Sequence, residues 1–168
     1  MSVAERISDL SYGVYNSIRH RGAWELAEGP AGASDFEHLE GHRYMLLITF
    51  RRDGTGVPTP VWFGLRDGKA YVHTEGRTAK VQRIQANARV RVAPCTMRAK
   101  PRGPAAEGTA RIVALEEEEY AEAAIQANYG VGRKLYERPL DRSSLDFVYL
   151  EVSPPSGGAG EAERGEGE

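Results

Sequence analysis

The chain has 168 residues with 24 acidic and 22 basic side chains, a net charge of −2, and one cysteine, Cys95. This length suffices for one domain with a real core, and the balanced charge argues against a general nucleic-acid binder. A single cysteine excludes an internal disulfide, and the four histidines lack paired-ligand spacing, so we expect no metal site. Without a membrane-length apolar run or a signal-peptide layout, the sequence predicts a cytoplasmic protein.

The first forty residues predict a helix and a linker. Apolar residues recur at helical spacing over residues 3–20, which predicts an amphipathic helix. Residues 27–36 are small and rich in glycine and proline, as is typical of a loop. We assign residues 1–37 to this N-terminal helix and linker.

The middle of the chain predicts antiparallel strands at hairpin spacing. Two Asp-Gly pairs mark tight turns. Pro58 and Pro60 cannot donate to a strand ladder, so their strand should lie at a sheet edge or start irregularly. In 88–95 the alternation places Arg89 and Arg91 on the polar face of a half-buried strand. The predicted strands are residues 44–50, 57–65, 70–74, 88–95, 105–115 and 145–152.

Helices are predicted between the third and fourth strands and before the last strand. The first has Thr78 as its N-cap and an inward stripe of Val81, Ile84 and Ala88. The later ones cover 116–130 and, more briefly, 131–138. The pattern predicts a mainly β, α+β fold, a small barrel with helical packing. We assign residues 38–153 to the barrel and 154–168 to a disordered acidic tail.

A block of one charge sign lies inside the barrel domain. Residues 76–106 contain eight basic side chains and no Asp or Glu, and such a block creates a field that selects anionic ligands. The basic residues are Arg77, Lys80, Arg83, Arg89, Arg91, Arg98, Lys100 and Arg102.

The start of the first predicted barrel helix, at Thr78, is a candidate anion site. Free N–H groups and the helix dipole favour a negative group there, and Arg77 and Lys80 add full charges at the same end. A phosphate or carboxylate bound at this end would balance the two cations and the helix dipole. The alternative is that both cations are solvated or pair with acids such as Glu75 or Glu107.

The stretch PTPVWF (58–63) is a candidate surface for a flat ring. Its prolines stiffen an edge, Thr59 offers a hydroxyl, and Val61 and Trp62 offer backbone groups. The alternative, which composition favours, is a bulged edge strand with Trp62 in the core.

The motifs TPVWF, TAKVQRI and ARVRVAPC, in this order, resemble the pyridoxamine-phosphate-oxidase-like split β-barrel flavoproteins, above all the actinobacterial coenzyme F420-dependent oxidoreductases. The resemblance covers about residues 38–153 and implies a split antiparallel β-barrel. It also implies a homodimer whose cofactor sites lie at the dimer interface, with unassigned residues from the partner.

The resemblance further implies which residues bind the cofactor. Its phosphate is held where the third strand runs into the short helix, with Lys80 the surest match, and its ring lies along the second strand. The implied set is Thr59, Pro60, Val61, Trp62, Thr74, Arg77, Thr78, Ala79 and Lys80.

The expected function is hydride transfer from reduced F420, a deazaflavin, to a small unsaturated substrate. The alternatives are an FMN-dependent oxidoreductase of the same fold, a non-catalytic F420- or flavin-binding protein, and an RNA-binding module. The last is disfavoured because residues 76–106 lack aromatic side chains. The remaining cations of the basic block could favour the long polyglutamate tail of F420. No catalytic residue is identified; Tyr71, His73 and Tyr129 are candidate proton donors for which packing roles are the safer expectation.

Overall fold

The computed structural model describes residues 20–130 and 146–155. The helix predicted over 3–20, the short helix at 131–138 and most of the acidic tail lie outside these residues. The strands are β1 Tyr44–Phe50, β2 Gly56–Trp62, β3 Gly64–Arg66, β4 Lys69–Glu75, β5 Arg89–Cys95, β6 Ala106–Ile112 and β7 Phe147–Ser153. The helices are α1 Arg21–Glu28, α2 Ala79–Ala86 and α3 Glu118–Tyr129, with 3-10 turns at Glu37–Leu39 and Leu115–Glu117.

The seven strands form one antiparallel sheet in the order β2-β1-β5-β6-β7-β4-β3. β2 and β3 are consecutive in the chain but occupy opposite edges, so the chain crosses from one edge to the other at Phe63. β2 consequently lies beside β4, and the sheet curls into a split barrel. The predicted fold is confirmed, but the strand predicted over 57–65 is two strands because Phe63 interrupts it.

β1 reads as a continuous apolar run because both of its faces are buried. Met45 and Leu47 point into the barrel core, whereas Leu46 and Ile48 point outward into a second apolar cluster. That second cluster is covered by α1, which contacts β2 as well. A strand buried on both faces loses the alternation that usually marks it.

The helix α1 was not predicted from the sequence. Ala23 and Ala27 face the sheet, and a Cβ at Gly56 would come within 2.9 Å of the Ala27 Cβ, so α1 approaches β2 closely. Ala27 and Glu28 therefore belong to a helix, and the loop predicted over 27–36 starts only at Gly29.

Arg91 is buried, contrary to its predicted place on a solvent-facing side of β5. Its Nη1 donates to the carbonyls of Leu26 and Ala27 at 3.3 and 3.2 Å, and also to that of Gly29. Its Nε donates to Glu107 at 2.5 Å. The sequence analysis assigned Arg91 to the correct face of β5. That face is covered by α1, and Arg91 donates to the carbonyls at the end of this helix.

The other side of the barrel carries α3. A Cβ at Gly64 would lie 2.1 Å from the carbonyl oxygen of Ala124, so β3 and α3 meet backbone to backbone. The helix ends at Gly130, whose φ of 60° suits glycine, as predicted.

The short helix α2 follows β4. Val81 and Ile84 are buried as predicted. Ala88 is exposed and lies beyond Ala86, the last residue of the helix, so the predicted inward stripe is two residues long rather than three.

Candidate functional site

The start of α2 leaves its first backbone amides without a side-chain cap. Thr78 holds the N-cap position, as predicted, but its hydroxyl donates to the Glu75 carbonyl at 2.9 Å and makes no capping bond to the helix. The first turn contains no acidic residue. The helix dipole and these amides therefore favour an external anion.

Arg77, the cation directly before this turn, takes part in an exposed ion pair. Arg77 pairs with Asp146 at 3.1 Å, and both side chains are mostly exposed, so the pair is weak. Neither Glu75 nor Glu107, the acids suggested from the sequence, pairs with Arg77. Glu107 binds Arg89 and Arg91 instead.

The four predicted residues of β2 are all half-buried. Thr59 and Val61 lie opposite Leu47 and Met45, which places them on the inward face, so Pro60 and Trp62 lie on the outer face. The ladder with β1 runs without a bulge, and β2 is an edge strand as the prolines predicted. Trp62 is not a core residue.

An aromatic cluster occupies the far end of β2. The Trp62 ring stacks on Tyr129, with centroids 5.3 Å apart and an interplanar angle of 29°, and Tyr44 packs against Trp62 at 6.5 Å. Tyr129 comes from the end of α3, 67 residues later in the chain. No local sequence signal pairs these two side chains, and the sequence analysis names Tyr129 as a candidate proton donor.

The two halves of the predicted site are linked through β1. Arg83 of α2 donates its Nε to the Thr49 hydroxyl at 2.7 Å, and Thr49 lies opposite Val57 of β2. Thr74, on β4 just before α2, is 9% exposed. α2 therefore lies near the start of β2, while Trp62 lies at its end, about 17 Å further along at about 3.3 Å per residue.

An open pocket of about 180 Å³ lies elsewhere, between α3, the first 3-10 turn and β3. None of the nine predicted residues lines it. Its lining residues are Leu39, Glu40, Gly41, Phe63, Leu65, Ala124, Ala127 and Asn128. The two halves of the predicted site thus lie outside this pocket.

Two candidate proton donors have structural roles. The Tyr71 hydroxyl donates to Glu151 at 3.1 Å, and burial followed by this carboxylate raises the pKa of Tyr71 well above its usual value. The Tyr129 hydroxyl accepts from the Phe63 amide and donates to the Arg43 carbonyl.

The third candidate, His73, packs against two aromatic rings of β7. The centroids of Phe147 and Tyr149 lie 4.9 and 4.7 Å from that of His73. These contacts give all three candidates a packing or positioning role.

Comparison with known proteins establishes the family. The model of the pyridoxamine 5′-phosphate oxidase family matches residues 35–154, well over half of the chain. The chain belongs to this family. The family resemblance predicted from the sequence is thus confirmed, and among curated proteins none matches the chain.

Solved structures share the fold at low sequence identity. An F420 reductase matches with 24% identity over 76% of this chain and 97% of its own, at a TM-score of 0.52. A FAD-binding protein from Mesorhizobium loti matches with 16% identity over 70% and 83%, at 0.50. The heme storage protein HutZ from Vibrio cholerae matches with 13% identity over 72% and 87%, at 0.52. These similarities support the split barrel and leave the ligand of this chain open.

No helix in the described parts of the chain combines the length and the apolar character that crossing a membrane requires.

Proposed function

We propose that this protein is an oxidoreductase that binds reduced coenzyme F420 and transfers hydride to a small unsaturated substrate. The phosphate would bind at the start of α2, on Thr78, Ala79 and Lys80, with Thr74 and Arg77 beside them. The ring would lie along Thr59, Pro60, Val61 and Trp62. The proposal includes the predicted cytoplasmic location and the domain limits 1–37, 38–153 and 154–168.

The single observation that carries this proposal is the distance along β2 between two groups of residues with different chemistry. The uncapped, acid-free first turn of α2 suits an anion, and the Trp62–Tyr129 stack suits a flat ring. The interval of about 17 Å along β2 suits an elongated ligand with one charged end and one aromatic end. A deazaflavin with its phosphate has this shape and charge distribution.

The bound deazaflavin would supply the hydride, and this chain would supply position and an anionic anchor. Thr59 and Val61 face inward, and Pro58 and Pro60 remove two backbone donors from the edge of the sheet. The half-buried strand β2 can thus lie against a ring without an extended row of free amides. A ring at the edge of one barrel would be shielded from water when a second copy packs against it, in line with the predicted homodimer.

Titration of the apo-protein with F420 and with FMN, followed by cofactor fluorescence, tests the cofactor. We expect saturable binding of F420, weaker binding of FMN, and loss of affinity with rising salt because the anchor is electrostatic. Tighter binding at high salt would contradict the anchor.

Turnover decides between enzyme and carrier. A panel of activated alkenes and enones is added to the protein with reduced F420, and deazaflavin re-oxidation is followed by absorbance. Oxidation that depends on both protein and substrate supports the proposal. Tight binding without turnover would identify a non-catalytic cofactor-binding protein, and preferential FMN binding would favour the FMN-dependent alternative.

A further inference from the structure

The open pocket between α3, the first 3-10 turn and β3 is large enough for one six-membered ring. Its volume of about 180 Å³ exceeds that of an engineered apolar cavity of roughly 150 Å³ that binds benzene. The two walls contributed by Leu39 and Phe63 are fully buried side chains. The complete apolar lining consists of Leu39, Phe63, Leu65, Ala124 and Ala127. The pocket therefore suits a compact apolar group that enters directly from solvent.

The amide of Asn128 offers this pocket a hydrogen-bond acceptor. Its Nδ2 donates to the carbonyls of His42 and Phe63, at 3.1 and 2.8 Å, and two carbonyl partners fix which end of the amide is the NH₂ group. The other end, Oδ1, accepts no hydrogen bond from residues 20–130 and 146–155 and is open to solvent. A ligand that donates a hydrogen bond would satisfy it.

Glu40 adds a negative charge to the lining of the same pocket. Its side chain is exposed and forms no ion pair in the described parts of the chain. No Lys, Arg or His is among the lining residues. An anionic ligand is therefore disfavoured here, whereas a cationic donor can interact with both Glu40 and Asn128.

The pocket adjoins the aromatic stack at the end of β2. The Phe63 amide donates to the Tyr129 hydroxyl at 3.0 Å, and the Phe63 carbonyl accepts from Asn128, so two consecutive residues of α3 hold the Phe63 backbone. Trp62, the residue before Phe63, stacks on the Tyr129 ring. Because a ligand in the pocket contacts the segments that position Trp62, the emission of Trp62 should report its binding.

We propose that this pocket is a second binding site, for a small primary amine with an apolar body about the size of one ring. The body lies against Phe63 and the alanines of α3, and the ammonium group donates to Asn128 Oδ1 beside the Glu40 carboxylate. The site is independent of the proposed coenzyme site, because none of the residues predicted to bind the coenzyme lines the pocket.

Benzylamine, benzyl alcohol and benzoate test this chemistry, because they share one ring and differ in the charge of the polar group. Each is titrated into the full chain carrying Trp24→Phe, so that Trp62, the other tryptophan, gives the emission. Saturation-transfer NMR of the ring protons is a second measurement that does not depend on Trp62. We expect half-saturation by benzylamine at about 1 mM or below, binding of benzyl alcohol about fivefold weaker, and the weakest binding for benzoate.

Two pairs of matched variants test the location of the ligand. Glu40→Gln should remove the preference for benzylamine over benzyl alcohol, whereas Glu37→Gln, at an exposed acid of the same 3-10 turn outside the pocket, should retain it. Ala127→Leu should fill the pocket and weaken benzylamine binding by about tenfold or more. Ala123→Leu, at an exposed position of α3 that does not line the pocket, should change it by less than about twofold. Thermal melting checks that each variant is folded, and the exposed Glu40 provides a test that does not alter packing.

Four results would overturn the site. Equal affinities for the three compounds would show that Asn128 and Glu40 do not select the ligand. Equal effects of Glu40→Gln and Glu37→Gln would indicate only a general effect of charge. An unchanged affinity in Ala127→Leu would place benzylamine elsewhere on the protein. No saturation in either measurement at about tenfold the expected concentration would show that the pocket does not bind amines of this class.

Discussion

Replacing Arg91 by Met tests most directly whether this arginine of the basic block is buried beneath α1 and stabilises the fold. The side chain is 11% exposed, donates to three carbonyls at the end of α1, and pairs with Glu107. Removing one partner of a fully buried pair costs about 3–5 kcal/mol. Glu107 is 31% exposed and keeps Arg89, so part of this cost is avoided. We expect a loss of about 2–4 kcal/mol in the free energy of unfolding.

Urea denaturation followed by tryptophan fluorescence and circular dichroism measures this loss. Two variants serve as controls. Arg89→Gln removes the more exposed partner of Glu107 and should cost less than about 1 kcal/mol. Arg98→Gln, in the exposed loop after β5, should change stability by less than about 0.5 kcal/mol. A loss for Arg91→Met no larger than that for Arg98→Gln would refute the burial of Arg91 beneath α1.

Three further predictions follow from single contacts. Burial would raise the pKa of Glu107, but hydrogen bonds from two arginines hold it below its usual value. Its stabilisation is therefore present above about pH 4.3 and lost as pH falls further, and Glu107→Gln should flatten the acid limb of a stability–pH curve. Gly64→Ala should destabilise by about 3 kcal/mol or more in thermal melts, because the new Cβ would meet the Ala124 carbonyl at 2.1 Å; a wild-type melting temperature would contradict this contact. Burial raises the pKa of the Cys95 thiol to about 12, so a thiol reagent at pH 8 should react much faster in urea than in the native protein, and equal rates would refute its burial.

Local sequence signals located most of the barrel. The apolar run at 44–50 matches β1 residue for residue, and prolines identified β2 as an edge strand. The break between β2 and β3 had no such signal. It arises because the sheet curls and the chain must change edges at Phe63, a property of the whole barrel and not of the residues nearby.

Tertiary contacts explain what the sequence did not show. The segment Arg21–Glu28 is weakly apolar and becomes a helix packed on β1 and β2, with Arg91 at its end. Because α1 was missed, Arg91 was placed in solvent. The charge pattern alone cannot distinguish a solvated arginine from one that donates to the carbonyls at the end of a distant helix, since both alternate with valines along a strand.

Only part of the candidate site could be predicted from the sequence, because only part of it is formed by residues that are close together in the chain. Thr78 and the cations after it are a local pattern, so their position at the start of α2 could be predicted. The stack of Trp62 on Tyr129 and the hydrogen bond from Arg83 to Thr49 join residues far apart in the chain. Only the fold brings them together.

The most direct test of the account is the affinity of F420 for Lys80→Ala, compared with Lys100→Ala as a matched control in the distant loop after β5. Isothermal or fluorescence titration at low salt gives both values. We predict a loss of affinity of about tenfold or more for Lys80→Ala and less than about twofold for Lys100→Ala. Equal affinities for the two variants would contradict an anion anchor at the start of α2.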